Sequence, residues 1–187
     1  MGWTLRRATH PGKKTPENVT QILTDAALRL VSTISQFNVP EPLIVNSDQT
    51  GVIYSAGALE TYAPIGSKQV DVIGKDEKQA FTLMVGISMS GEVLPFQAVY
   101  CGTTSRSLPT SKAHNYTKAS EELKFLFESS GNDTYWSTMK TMESYVTNIL
   151  VPYFKSHCVQ LNLPNQLCIW QIDCWSVHQS LEFRTWM

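Results

Sequence analysis

The chain of 187 residues allows one domain with a real core, or one domain plus an appendage. Its 42% hydrophobic and 17% charged composition excludes a disordered chain, and a formal net charge of −1 excludes a global positive field for nucleic acid. No stretch is long and apolar enough to span a bilayer, and no basic start followed by an apolar core reads as a signal peptide.

The charge is uneven along the chain. Arg6, Arg7, Lys13 and Lys14 all precede the first acid, Glu17, so residues 1–14 read as an irregular basic arm around Pro11-Gly12. Such an arm either contacts phosphate or is a solvated tail. Thr15-Pro16-Glu17 is a helix start, with Thr15 as N-cap and Pro16 at the first helical position. Val19, Ile22, Leu23, Ala26, Ala27, Leu30 and Ile34 recur at helical spacing and predict an amphipathic helix to about Phe37. Its stripe is expected to pack on the main domain. Residues 1–40 thus form an arm and helix, and residues 41–187 the domain proper.

The first strand is predicted over about Pro42–Ser47, delivering Asp48 directly before a Thr50-Gly51 turn. Val52–Tyr54 and Thr61–Ala63 around Ala56-Gly57 suggest a hairpin-like excursion. Pro64–Lys68 is a turn presenting Lys68, Gln69–Ile73 a short strand, and Gly74–Lys78 a polar loop. Ala80–Ser88 reads as the central strand, Ser90-Gly91 as a tight turn, and Val93–Tyr100 as its partner with a break at Pro95. Residues 102–133 are the least regular, and Glu121–Glu128 fits a strand or a short helix equally. Ser137 or Thr138 caps a second helix carrying Met139, Met142, Val146, Ile149, Leu150 and Tyr153, which Pro152 kinks or restarts. Leu167–Ile172 is a last apolar strand ending in Asp173, and one final helix from Ser176 or Val177 carries His178 and Glu182.

Two apolar strands that each run into an acid could bring Asp48 and Asp173 to adjacent strand ends, the geometry a divalent metal needs. A buried carboxylate otherwise requires a partner. The plainer alternative is that Asp48 caps the Thr50-Gly51 turn and Asp173 the last helix. The element order fits an α/β, ribonuclease-H-like mixed sheet, three antiparallel strands plus a parallel one reached by a right-handed crossover, with flanking helices. Cys101, Cys158, Cys168 and Cys174 lack CxxC spacing and read as reduced, small core residues of an intracellular protein.

Asn46-Ser47-Asp48-Gln49-Thr50-Gly51, Pro64-Ile65-Gly66-Ser67-Lys68, Leu94-Pro95-Phe96 and Asp173-Cys174-Trp175-Ser176-Val177-His178 stand in a particular order. In that order and rough spacing they resemble the DDE superfamily endonuclease domain of pogo-like and mariner-like transposases, fungal copies above all. The likeness covers about residues 42–187, and Gly2–Thr9 resembles the segment preceding the domain. The resemblance implies a nuclear protein acting on DNA. It implies two catalytic acids, Asp48 and Asp173, holding Mg2+ or Mn2+ for in-line attack on a phosphodiester. It gives His178 a supporting role, and Lys68 and Arg106 phosphate contacts.

The family also has a third acid further downstream, after another strand. Glu182 does not match that position. The chain is therefore expected to be a truncated or decayed copy that binds metal weakly and does not cleave alone. An open sheet edge would favour self-association. The alternative function is a non-catalytic DNA-binding or interaction remnant of a transposable element.

Overall fold

A strict alternation of burial builds the centre of the molecule. In Ala80–Ser88 the residues Ala80, Thr82, Met84, Gly86 and Ser88 are buried, while Phe81, Leu83 and Val85 are half-buried and Ile87 is exposed. One face of this strand is covered and the other is largely open, the pattern of a sheet with helices on one side. The structure is a computed structural model that describes residues 3–7, 16–53, 60–67 and 80–187.

In chain order the strands are β1 (Trp3–Arg7), β2 (Ile44–Ile53), β3 (Glu60–Pro64), β4 (Ala80–Ser88), β5 (Gln97–Tyr100), β6 (Leu126–Ser129) and β7 (Ile169–Gln171). The helices are α1 (Val19–Phe37), α2 (Met139–Tyr145), α3 (Val151–Gln160), α4 (Ser176–Gln179) and α5 (Leu181–Trp186). They fall into two units, one of residues 1–29 and 53–80, the other of residues 30–52 and 81–187.

In the first unit β1 and β3 form an antiparallel two-stranded sheet, Trp3 opposite Pro64 and Arg7 opposite Glu60. The arm expected to be irregular therefore contains a strand, and β3 returns on β1 instead of closing a hairpin on β2. Gly66, at φ +90°, closes the following turn, where the Ser67 amide and hydroxyl both donate to the Pro64 carbonyl. Lys68, the Gln69–Ile73 strand and the Gly74–Lys78 loop lie outside the described residues.

The second unit holds a five-stranded mixed sheet in the order β6-β5-β4-β2-β7. β4 and β5 are antiparallel, β5 and β6 parallel, β2 and β7 parallel. The Met89 amide donates to the Ile44 carbonyl, so the end of β4 meets the start of β2. β2 does not stop at Ser47: it runs through Asp48 and Gly51 to Ile53, because the long β4 beside it continues to supply a neighbour. The ambiguous 121–128 stretch is both things, a helical turn over Lys118–Glu122 and then β6.

Pro152 restarts the helix, standing in the first turn of α3. A wider π turn over Val146–Leu150 sits between α2 and α3 and relieves the clash of the proline ring with the preceding turn. The result is one long helical stretch whose Met142, Tyr145, Val146, Ile149 and Leu150 pack with Val45, Met84, Leu94 and Phe183 in the main core. A smaller cluster joins Val39, Leu43, Ile44 and Cys158, with Ile34 of α1 against it.

α1 ends at Phe37 as predicted, on Asn38 at φ +49°, a left-handed C-cap, but it begins at Val19 and not at Pro16, and the proposed cap Thr15 lies outside the described residues. Its stripe was expected to be a packing face, and it is one only in part: Val19, Leu30 and Ile34 are half-buried, while Ile22 and Leu23 are exposed and no residue of α1 is fully buried. The expectation that all four cysteines are core residues also fails: Cys158 is buried and Cys168 half-buried, but Cys101 and Cys174 are exposed. Burial, with Cys158 beside it, pushes the Cys168 thiol up to about 12. A thiol reagent near pH 8 should therefore modify Cys101 and Cys174 quickly in the folded protein and all four thiols in denaturant. Four fast thiols in the native state would contradict the packing of Cys158 and Cys168.

At the centre of the core the Trp170 indole N–H donates to Ser47 Oγ at 3.0 Å, and Ser47 Oγ shares a 3.0 Å hydrogen bond with the Tyr145 hydroxyl. Burial raises the Tyr145 pKa above its ordinary value, against the lowering effect of this bond. The hydroxyl fits only because residue 86 has no side chain: a Cβ there would lie 2.5 Å from Tyr145 Oη and 3.1 Å from Ser47 Oγ. Gly86→Ala should lower stability by about 1–3 kcal/mol in urea denaturation. Combining it with Tyr145→Phe should cost less than the sum of the two changes, since the phenylalanine removes the clashing oxygen. Strict additivity would contradict the close approach.

Candidate metal and nucleic-acid site

Both candidate acids lie in the second unit, and strand register relates them. β2 and β7 pair Ile44 with Ile169, Val45 with Trp170 and Asn46 with Gln171. The pairing ends there, and Asp48 and Asp173 each follow two residues after the last bonded pair. Neighbouring strands lie about 4.8 Å apart. Beyond Gln171 the chain leaves the sheet, so Asp48 sits where β2 loses its neighbour on that side. Ser47 is buried against Tyr145, and strand alternation turns Asn46 and Asp48, both exposed, to the other face.

Each carboxylate has one oxygen engaged. Asp48 Oδ1 accepts from the Gln49 amide at 2.8 Å. Asp173 Oδ1 pairs with His178 Nδ1 at 3.0 Å, and the Asp173 carbonyl lies 3.1 Å from the same nitrogen. Both partners of Nδ1 are acceptors, which assigns the ring proton to Nδ1 and makes His178 the donor. The imidazole is buried, its side chain 4% exposed, while Asp173 is 52% exposed. The ring therefore anchors a carboxylate that itself faces solvent. His178 Nε2 is buried without a hydrogen-bond partner among the described residues.

The final helix is interrupted, contrary to expectation. Ser180 takes extended backbone angles between α4 and α5, and its hydroxyl accepts from the Phe183 amide at 3.1 Å. Serine competes well for a helix N-terminus, so the chain restarts there instead of continuing. The restart swings Phe183 into the core beside Trp170 and leaves Arg184 lining the same cavity as Asp173.

The other candidates are placed elsewhere. Arg106 is on an exposed turn, Ser105–Ser107, beside β6, the edge of the sheet opposite β7. Lys68 is outside the described residues. Glu182 is exposed on α5 and does not line the cavity next to Asp173. That cavity, of about 430 Å3, is lined by Ile172, Asp173, Cys174, His178, Gln179 and Arg184. Gln179 and Arg184 were not singled out by sequence; an uninterrupted helix gives no reason to group them with Asp173.

Two hard carboxylates, each with one oxygen lacking a hydrogen-bond partner among the described residues, suit Mg2+ or Mn2+. These ions are commonly held by one or two carboxylates, with water and substrate phosphate completing the shell. Among the described residues no group of three His, Cys, Asp or Glu side chains comes together. No helix among the described residues is long and apolar enough to cross a membrane. No family model, curated protein or solved structure matches the chain.

The Ser180 cap can be checked directly. Ser180→Ala should cost about 1 kcal/mol in denaturant unfolding. It should also loosen the last helix, read as faster amide exchange at Phe183. Unchanged exchange there would contradict the capping role.

Proposed function

We propose that the second unit is a ribonuclease-H-like domain of DDE endonuclease type, derived from a pogo-like or mariner-like transposase. In this reading it binds DNA in the nucleus and holds a divalent ion between Asp48 and Asp173. The observation that supports the reading is the parallel β2–β7 pairing, which ends at Asn46 and Gln171, two residues before each acid. The strand order supports it: β5, β4 and β2 run antiparallel, and β7 is then added parallel to β2.

The roles follow from the chemistry of the side chains. Asp48 offers oxygen ligands from β2, and Asp173 from the segment that follows β7. His178 donates to Asp173 and holds its carboxylate in one rotamer, the usual way an outer residue orients a ligand. A bound Mg2+ or Mn2+ supplies charge stabilisation to a phosphodiester and acidifies water. With two carboxylates and one ion, phosphodiester cleavage is ancestral and silent in this chain, and binding is what persists. The same observation favours the second reading, a non-catalytic DNA-binding remnant.

Thermal unfolding tests the site. Saturating Mg2+ or Mn2+, about tenfold over Kd, should stabilise the wild type by roughly 1.4 kcal/mol, a rise of a few degrees in Tm. Asp48→Ala and Asp173→Ala should each abolish the shift while remaining folded. Equal shifts in wild type and both variants would overturn the assignment.

A further inference from the structure

We infer that the cavity between α3, β7 and α5 binds a small, chiefly aromatic molecule that donates a single hydroxyl to His178. The cavity, about 490 Å3, is in the size range of small-ligand sites. Its walls include Leu150, Val151 and Phe154 of the helical stretch, Trp170 on β7, Ile172 just past it and Phe183 on α5. Three aromatic rings among aliphatic side chains suit a flat apolar body.

The polar contact is His178 Nε2. The His178 side chain is 4% exposed, and its Nδ1 proton is committed to Asp173 at 3.0 Å. Asp173 lines the neighbouring 430 Å3 cavity and not the apolar one, while the His178 ring lines both. The two nitrogens sit on opposite sides of the imidazole, so Nε2 faces away from Asp173 and toward the apolar cavity. There it is buried without a hydrogen-bond partner among the described residues, and the Phe183 ring lies 5.7 Å from the imidazole. With the proton on Nδ1, Nε2 is an acceptor. A buried acceptor that lacks a donor is costly, and a bound O–H removes that cost. An ammonium donor would bring a charge against apolar walls and near the cationic Arg184, which also lines the cavity. A neutral hydroxyl on an apolar body avoids both penalties. The contact involves no metal: Asp173 serves only to hold the ring.

Isothermal titration calorimetry of the full chain with 2-naphthol and with 2-methoxynaphthalene tests the site. The two probes share one ring system, but the ether has no hydrogen to donate and is the more apolar. Hydrophobic burial alone would therefore favour the ether. 2-Naphthol should bind the wild type about tenfold more tightly than the ether. Val151→Trp, which fills the cavity from α3, should abolish 2-naphthol binding in a chain that circular dichroism shows to be folded. The comparison of the two probes on wild type needs no variant, so it decides the matter even if Val151→Trp does not fold. Equal affinities, or tighter binding of the ether, would overturn the inference. So would the absence of 2-naphthol binding to wild type, or its persistence in folded Val151→Trp.

Discussion

The hydroxyl of Ser47 is the constraint on which the rest of the second unit depends. It accepts from Trp170 on β7 and is bonded to Tyr145 on α2, so one buried oxygen ties two strands to the helix above them. A one-residue slip of β2 would turn Ser47 out and Asp48 in, leaving a tyrosine, an indole N–H and a carboxylate buried without partners. Fixing Ser47 inward therefore fixes Asp48 outward. Gly86 is part of the same constraint, since only a residue without a side chain leaves room for the Tyr145 hydroxyl over β4.

A second polar anchor works at the other edge. The buried Gln97 side chain donates to the Thr141 carbonyl at 2.7 Å and to Glu128, which also accepts from the Ser144 hydroxyl. These bonds join β5 and β6 to α2. Helix α2 is thus bonded to both halves of the sheet, and the parallel pairing of β2 with β7 is held by side chains as well as by its three backbone positions.

Strong periodicities were legible in the sequence. The end of α1, the central strand β4 and the break before β5 at Pro95 follow from residue spacing and proline chemistry. The length of β2 was not legible, because Thr50-Gly51 has turn composition and only the neighbouring strand keeps it extended. Pro152 reads as a kink or a restart, and it stands at the start of α3 after a π turn that the sequence did not announce. The exposure of α1 was hidden as well, since an apolar stripe announces a face and not what covers it. Of the site, Asp48, Asp173 and His178 could be picked out by position. The β2–β7 register and the cavity that Arg184 lines with Asp173 could not, because they depend on strand pairing and on a helix break at Ser180.

The central claim is that Asp48 and Asp173 act as one site although 125 positions separate them in the chain. The most direct measurement is a Mn2+ titration followed by the electron paramagnetic resonance of the free ion. The account predicts one bound ion per chain in the wild type, and loss of that ion in Asp48→Ala and in Asp173→Ala alike. Retention of the ion in either folded single variant would show that the two carboxylates do not share it, and would contradict the account.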